Sequence, residues 1–263
     1  MDAVAIERAA RCLLDARDRR VRIAALPESI RPVTRADGYR VQAEFARLAG
    51  QATRGWKIAA TSAAGQAHIG VDGPLAGRLL ADRVLPDGGH VPFAGNGMRV
   101  AEAEFAFVMG AALPARTRAY EIGEVVGAAE RVHPAIEIPD SRYGDFVTAG
   151  APQLIADNAC ACWFVLGAQV RAPWRDHDFG SHAVRGWRNG GAVAAGTGAN
   201  VLGDPRIALT WLANELRAHG IGLAAGQIVT TGTCVVPFAI EAGDRIAADF
   251  GPFGRVEALI AAA

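Results

Sequence analysis

The sequence predicts an α+β protein whose core is a folded β-roll or sandwich, and three observations carry that expectation. Helical periodicity is concentrated in residues 1–50. Beyond them the chain breaks into short apolar runs bounded by glycine and proline, the texture of irregular strands. No glycine fingerprint marks a doubly wound parallel sheet, and Gly196-Thr-Gly198 lacks both the third glycine and the strand-turn-helix setting, so it reads as a turn.

Taken in order, Ile6, Ala9 and Leu13, then Tyr39, Val41, Phe45 and Leu48, recur at helical spacing with charges between them, which predicts two or three helices. Pro27 and Pro32 mark the break, and Thr34 is placed to cap the helix that follows. Strands are expected at Phe105–Met109, Trp163–Leu166, Gln227–Thr231 and Arg245–Phe250. Two helices interrupt them, one at Ile122–Glu130 and one opened by Asp204-Pro205 and stopped by Gly220. The division is therefore a helical region over 1–50 and a β domain over 51–263, forming one functional unit.

Basic and acidic residues balance at 27 each, so no bulk field attracts nucleic acid or an anionic membrane, and a small-molecule ligand is expected. The charged N-terminus does not resemble a signal peptide, and no run of roughly 18 apolar residues appears; a cytoplasmic protein is expected. Four cysteines are too few for a disulfide scaffold, and Cys160 and Cys162 are expected as inert thiols on one strand face.

Of the 27 basic residues, 26 are arginine and one, Lys57, is lysine. Arginine keeps its proton, whereas a desolvated lysine can transfer one, so position 57 is a candidate for proton transfer as well as for a structural ion pair. Glu102 and Glu104 open an otherwise apolar run and point to the same face of a strand. Unless they form a solvated strand face, carboxylates so placed repel until a cation sits between them or one is protonated, and oxygen-only ligation suits magnesium or manganese. Glu137 interrupts a second apolar segment and needs a partner for the same reason.

Six segments in register then resemble the 2-keto-4-pentenoate hydratase and 4-oxalocrotonate decarboxylase group of the fumarylacetoacetate hydrolase superfamily. They are Gly55-Trp-Lys57-Ile58 with Thr61-Ser62, Glu102-Ala-Glu104-Phe-Ala-Phe-Val, Pro134-Ala-Ile-Glu137-Ile-Pro-Asp140-Ser-Arg142, Ala156-Asp157-Asn158, Trp211-Leu-Ala-Asn214 and Gly226-Gln-Ile-Val-Thr-Thr-Gly232. The resemblance implies a mixed β-roll with an N-terminal helical region, and a divalent ion, Mg2+ or Mn2+, held by Glu102, Glu104 and Glu137. It implies that Lys57 reaches the active site, that the ligand is a small 2-oxo or 2-hydroxy-enoic acid, and that the chain forms a homo-oligomer through its β core, with a partner enzyme of the same pathway as a further associate.

One departure bears on the reaction. Hydratases of the group often carry Glu-Pro-Asp-Tyr-Gly where this chain has Gly73-Pro74-Leu75-Ala76-Gly77, so Leu75 replaces an acid and Asp72 is either its substitute or a turn residue. Ser141 and Asn158 are candidates to bind the substrate carboxylate. Thr231-Gly232-Thr233 is a place for close backbone approach, with Thr233 a candidate contact or a satisfied strand hydroxyl, and Arg142 either pairs with Asp140 or Asp157 or touches substrate. Hydration of a 2-hydroxy-dienoate is the expected reaction. Its rivals are decarboxylation of a 2-oxo-3-enedioate, hydrolysis of an acylpyruvate, and service as a catalytically weak partner subunit.

Overall fold

The structure is a computed structural model and describes residues 1–262. Helices α1 (Ala3–Arg19) and α2 (Arg35–Leu48) fill the N-terminal region, with one 3-10 turn, Glu28–Ile30, at the expected break. Thr34 caps α2 as expected, its hydroxyl accepting from the Asp37 amide at 3.1 Å. Asp2 caps α1 in the same way through the Ala5 amide. The apolar faces of both helices, with Leu13, Val41 and Phe45, pack on Leu80, Tyr143 and Ala156, so this region leans on the β core.

The rest of the chain alternates strands with short helices. In order these are β1 (Thr53–Ala59), α3 (Ala63–His68), β2 (Leu75–Leu80), β3 (Val84–Pro86), β4 (Gly89–Val91), β5 (Val100–Met109), α4 (Ile122–Ala128), β6 (Ala129–Ile138), α5 (Ala151–Ala156) and β7 (Trp163–Leu166). There follow β8 (Ala183–Arg188), β9 (Gly191–Thr197), α6 (Pro205–Ala218), β10 (Ile228–Thr233), β11 (Phe238–Ala239), β12 (Arg245–Asp249) and β13 (Arg255–Ile260).

The larger sheet runs β2-β1-β10-β5-β6-β7-β3, with β11 added to β5, and the smaller runs β4-β13-β12-β8-β9. Three pairs are parallel, β1 with β10, β3 with β7 and β4 with β13, and the others antiparallel, which makes both sheets mixed. The sheets close on a shared aromatic core in which Phe105 meets Phe179 and Phe250 edge to face at centroid distances of 5.0 and 4.9 Å. The expected α+β class with a mixed β core and N-terminal helices is the fold observed.

Three local expectations change. The helix at Ile122 ends at Ala128, because Ala129 turns to extended backbone (φ −77°, ψ 134°) and starts β6. β10 continues two residues further than expected, to Thr233. Cys160 and Cys162 do not lie on a strand: β7 begins at Trp163, and Asn158, Ala159 and Cys160 all have left-handed backbone, with φ of 56°, 49° and 60°. Both thiols are free, and burial pushes them up, Cys160 to about 12 and Cys162 to about 11, consistent with inert groups.

Candidate active site

Strand alternation builds the site on one face of the larger sheet. Along β5, Phe105 and Phe107 enter the aromatic core, while Glu102 and Glu104 fall on the opposite face with Ala106 and Val108. Register then gathers the other groups: Glu137 of β6 stands opposite Glu102, Thr233 of β10 stands opposite Glu104, and Lys57 of β1 lies beside Thr230 of β10. One carboxylate oxygen from each of Glu102, Glu104 and Glu137 lies within 4.8 Å of the others.

These acids are held in an environment that resists their charge. Glu104 and Glu137 are buried, and Glu102 is half-buried at the cavity wall. One Glu104 oxygen, Oε2, accepts from the Thr230 hydroxyl and from the Gly232 amide at 2.9 Å. Among the described residues the other, Oε1, has no hydrogen-bond partner, and neither Glu137 oxygen accepts a hydrogen bond of regular geometry. Burial pushes Glu137 up to about 7 against the pull of Lys57, and it raises Glu102 and Glu104 as well. Orphaned buried oxygens in an all-oxygen cluster are what a hard divalent cation satisfies, so this donor set fits magnesium or manganese.

Lys57 is buried, with Nζ 3.0 Å from Glu137 Oε1 and donating to the Ala159 carbonyl at 3.0 Å. Burial pulls the ammonium down, but Glu137, then Glu102, Cys160 and Glu104, outweigh it and hold it above its ordinary value. The carbonyl it reaches belongs to the left-handed turn, where each such residue costs about 1–2 kcal/mol. Two contacts hold the turn there. The Asn158 side chain accepts from the Arg78 amide at 2.7 Å and donates to the Arg78 carbonyl at 2.9 Å. Gly77 lets the turn approach, since a Cβ there would stand 2.2 Å from the Asn158 carbonyl oxygen.

A cavity of about 430 Å³ opens over this face, lined by Lys57, Glu102, Ala159 and Cys160 at its polar end and by groups such as Ile69 and Met98 elsewhere. Thr233 borders it, but its hydroxyl donates to the Val235 carbonyl at 2.7 Å and so stabilises the β10 turn. Ser141 does not border it: its hydroxyl donates to Asp157 at 2.7 Å. Arg142 also pairs with Asp157, and it donates to the Asp140 carbonyl at 3.0 Å, so both residues brace the turn from behind. Asn158 clasps Arg78 rather than facing the cavity.

Asp72, like Ser141 and Asn158, is a candidate that the fold does not bring to the cavity. It is exposed in the turn before β2, while Leu75, in the position of the missing acid, is buried in the aromatic core. Sequence reasoning missed the Ala159 carbonyl and the Thr230 hydroxyl. A threonine inside an apolar strand run was the available signal for Thr230; nothing local marks three successive left-handed residues without glycine.

No family model matches the chain. Individual proteins do. The chain is 36% identical over 217 residues to a 4-oxalocrotonate decarboxylase of Pseudomonas sp. (strain CF600), covering 81% of each. It is 36% identical over 220 residues to 2-keto-4-pentenoate hydratase 1 of Dechloromonas aromatica (strain RCB), covering 83% of this chain and 80% of that one. The solved structure of 4-oxalocrotonate decarboxylase from Pseudomonas putida G7, complexed with magnesium and adipate, superposes with a TM-score of 0.89 at 30% identity, covering 99% of this chain and 98% of that one. With its carboxylate cluster, its lysine and its mixed β core on the same scaffold, the chain belongs to the 2-keto-4-pentenoate hydratase and 4-oxalocrotonate decarboxylase group of the fumarylacetoacetate hydrolase superfamily.

Proposed function

We propose that the protein is a divalent-metal-dependent hydro-lyase that converts a small 2-hydroxy-dienoate to a 4-hydroxy-2-oxo acid in the cytoplasm, with residues 1–50 and 51–263 acting as one unit. Glu102, Glu104 and Glu137 are the residues that would hold the ion. A divalent ion held there would supply Lewis-acid polarisation of the carbonyl of a 2-oxo acid.

The chain's own groups do the rest. Lys57, charged and aimed into the cavity beside Glu137, is placed to hold and return a proton at Nζ as the dienol becomes the conjugated ketone and water then adds at C4. Ala159 fixes the direction of that ammonium through its carbonyl. Ser141 and Asn158 act through the turn that carries Ala159, and Thr233 shapes the wall.

The observation that favours hydration over decarboxylation of an enedioate lies in the cavity wall. Lys57 is the only lysine or arginine among the described lining residues, in a chain with 26 arginines, and it is already committed to Glu137. Apart from one imidazole, His68, and neutral polar groups such as Ser62 and Asn200, the wall away from the polar end is apolar, with Ile69, Met98 and Val235. A second carboxylate on the substrate tail would find no lysine or arginine there to pair with, and burying an unpaired charge is costly. An apolar or absent tail fits.

The test is to assay 2-hydroxypenta-2,4-dienoate and 2-oxo-3-hexenedioate side by side, with magnesium and with chelator. Magnesium-dependent consumption of the dienoate with little turnover of the enedioate is expected; the reverse preference makes the protein a decarboxylase. We propose a homo-oligomer as well, because edge strand β9 leaves Gly191, Ala192 and Val193 exposed with unpaired backbone on one side. Light scattering at micromolar concentration is expected to give a multiple of the chain mass.

A further inference from the structure

A second cleft, of about 400 Å³, lies between the end of α1 and the strand β2, and its chemistry is unlike that of the first. Six arginines line it, Arg17, Arg20, Arg22, Arg78, Arg83 and Arg142, against two acids, Asp18 and Asp140. The pairs Arg17–Asp18, Arg22–Asp140, Arg83–Asp82 and Arg142–Asp157 account for four of them. Arg20 and Arg78 are left without an acidic partner among the described residues.

Arg78 is the unusual one. It is half-buried, its Nε has no acceptor, and burial with no nearby acid pulls its pKa down to about 10. A guanidinium nitrogen shielded from water is ordinarily paired, and this half-buried group stays charged at neutral pH without an acidic partner among the described residues. Its Cζ lies over the Trp56 ring, 4.4 Å from the centroid, as that of Arg83 lies over Trp163 at 4.5 Å and that of Arg17 over Phe45 at 5.2 Å. Stacking fixes the orientation of a guanidinium without consuming its N–H donors. One Arg17 donor, Nη1, is likewise shielded and has no acceptor.

We infer that this cleft is a binding site for a compact oxyanion of the phosphate or dicarboxylate class, centred on Arg78 and flanked by Arg17 and Arg83. It is separate from the carboxylate cluster, yet the two share a wall: the left-handed turn gives Ala159 and Cys160 to the first cavity and Asn158 to this cleft. Preorganised, stacked forks suit the planar or tetrahedral oxygens of such anions, which accept two parallel hydrogen bonds.

The experiment is calorimetric titration of the full chain, stripped of divalent ions and at low salt, with inorganic phosphate and separately with succinate. One saturable site per chain is expected for at least one probe, and the two arms show which anion class it prefers. Arg78→Gln is expected to weaken that binding by about tenfold or more, the loss of a charge-assisted contact. Arg17→Gln is expected to weaken it less, and Glu104→Gln to leave it unchanged. Should Arg78→Gln fail to fold by circular dichroism, Arg17→Gln at the rim of the cleft decides the matter. Absence of saturable binding, equal binding in both arginine variants, or loss of binding in Glu104→Gln would overturn the assignment.

Discussion

The two faces of β5 make opposite use of the same ten residues of backbone. On one face Phe105 and Phe107 sit among Phe179, Phe250 and Trp174, with every neighbour apolar or satisfied. On the other, Glu104 is equally buried but keeps an oxygen without a partner. The first face lowers the energy of the fold, and the second spends some of it to hold charge where charge is unfavourable. Function here is located by the face that a stability argument alone cannot explain.

The sharpest way to break the comparison is to exchange one residue on each face. Glu104→Ala is expected to remove detectable turnover and to abolish the rise in melting temperature that magnesium gives the wild type, which is about 2.7 kcal/mol of stabilisation at a hundredfold excess over Kd. Without metal the variant is expected to lose less stability than Phe105→Ala, since removing the partnerless Oε1 offsets the acceptor that the Thr230 hydroxyl and the Gly232 amide lose. Phe105→Ala is expected to do the converse, costing about 3–5 kcal/mol in denaturant unfolding whether or not magnesium is present. Equal loss of metal-free stability in the two variants would mean that the faces do not divide the work.

Next in size is Lys57→Arg. The ammonium donates to the Ala159 carbonyl at 3.0 Å and pairs with the Glu137 carboxylate at 3.0 Å, in a space closed by Gly77 and the turn. Guanidinium keeps the charge but is broader and does not fit the place between Glu137 and the Ala159 carbonyl, where the carboxylates hold the Lys57 ammonium protonated as a proton donor. Turnover is expected to fall about 10²–10⁴-fold, with a much smaller change in KM. Near-normal kcat in this variant would leave Lys57 a structural counter-ion of Glu137.

The same comparison shows what the amino-acid order could reveal. Alternation is local, so the opposed faces at Phe105 and Glu104 were legible, and so were the caps at Thr34 and Asp204, whose side chains bond the chain two or three residues on. The meeting of Glu102 with Glu137 depends on pairing β5 with β6, and the docking of Asn158 on Arg78 spans 80 residues; neither has a local signature. Helix α3 was invisible because it buries no residue, and so offers no apolar stripe to count. The roles first suggested for Ser141 and Asn158 shift for the same reason. Both side chains are polar and free in the sequence to meet any ligand, but their partners, Asp157 and Arg78, were known only once the turn had a shape.

The smallest effect is expected at Asp72, and it tests the comparison from outside both faces. An acid three residues before Leu75 was the natural substitute for the one that position lacks. In the fold, Leu75 is buried in the aromatic core and Asp72 is exposed in a turn, outside the cavity wall, with Arg35 as its electrostatic neighbour. An exposed carboxylate so placed contributes little to stability and has no path to a substrate over Lys57. Asp72→Asn is therefore expected to leave kcat within about twofold and stability within about 0.5 kcal/mol, the usual range for surface substitutions. The pH profile of kcat/KM carries the finer information: a catalytic Asp72 would show as a lost acidic limb in the variant, whereas a turn residue leaves the profile superimposable on wild type. A tenfold fall in kcat with that limb missing would mean that the turn before β2 folds over the cavity when substrate binds, and proton transfer would then be shared between Lys57 and an acid arriving from outside the sheet.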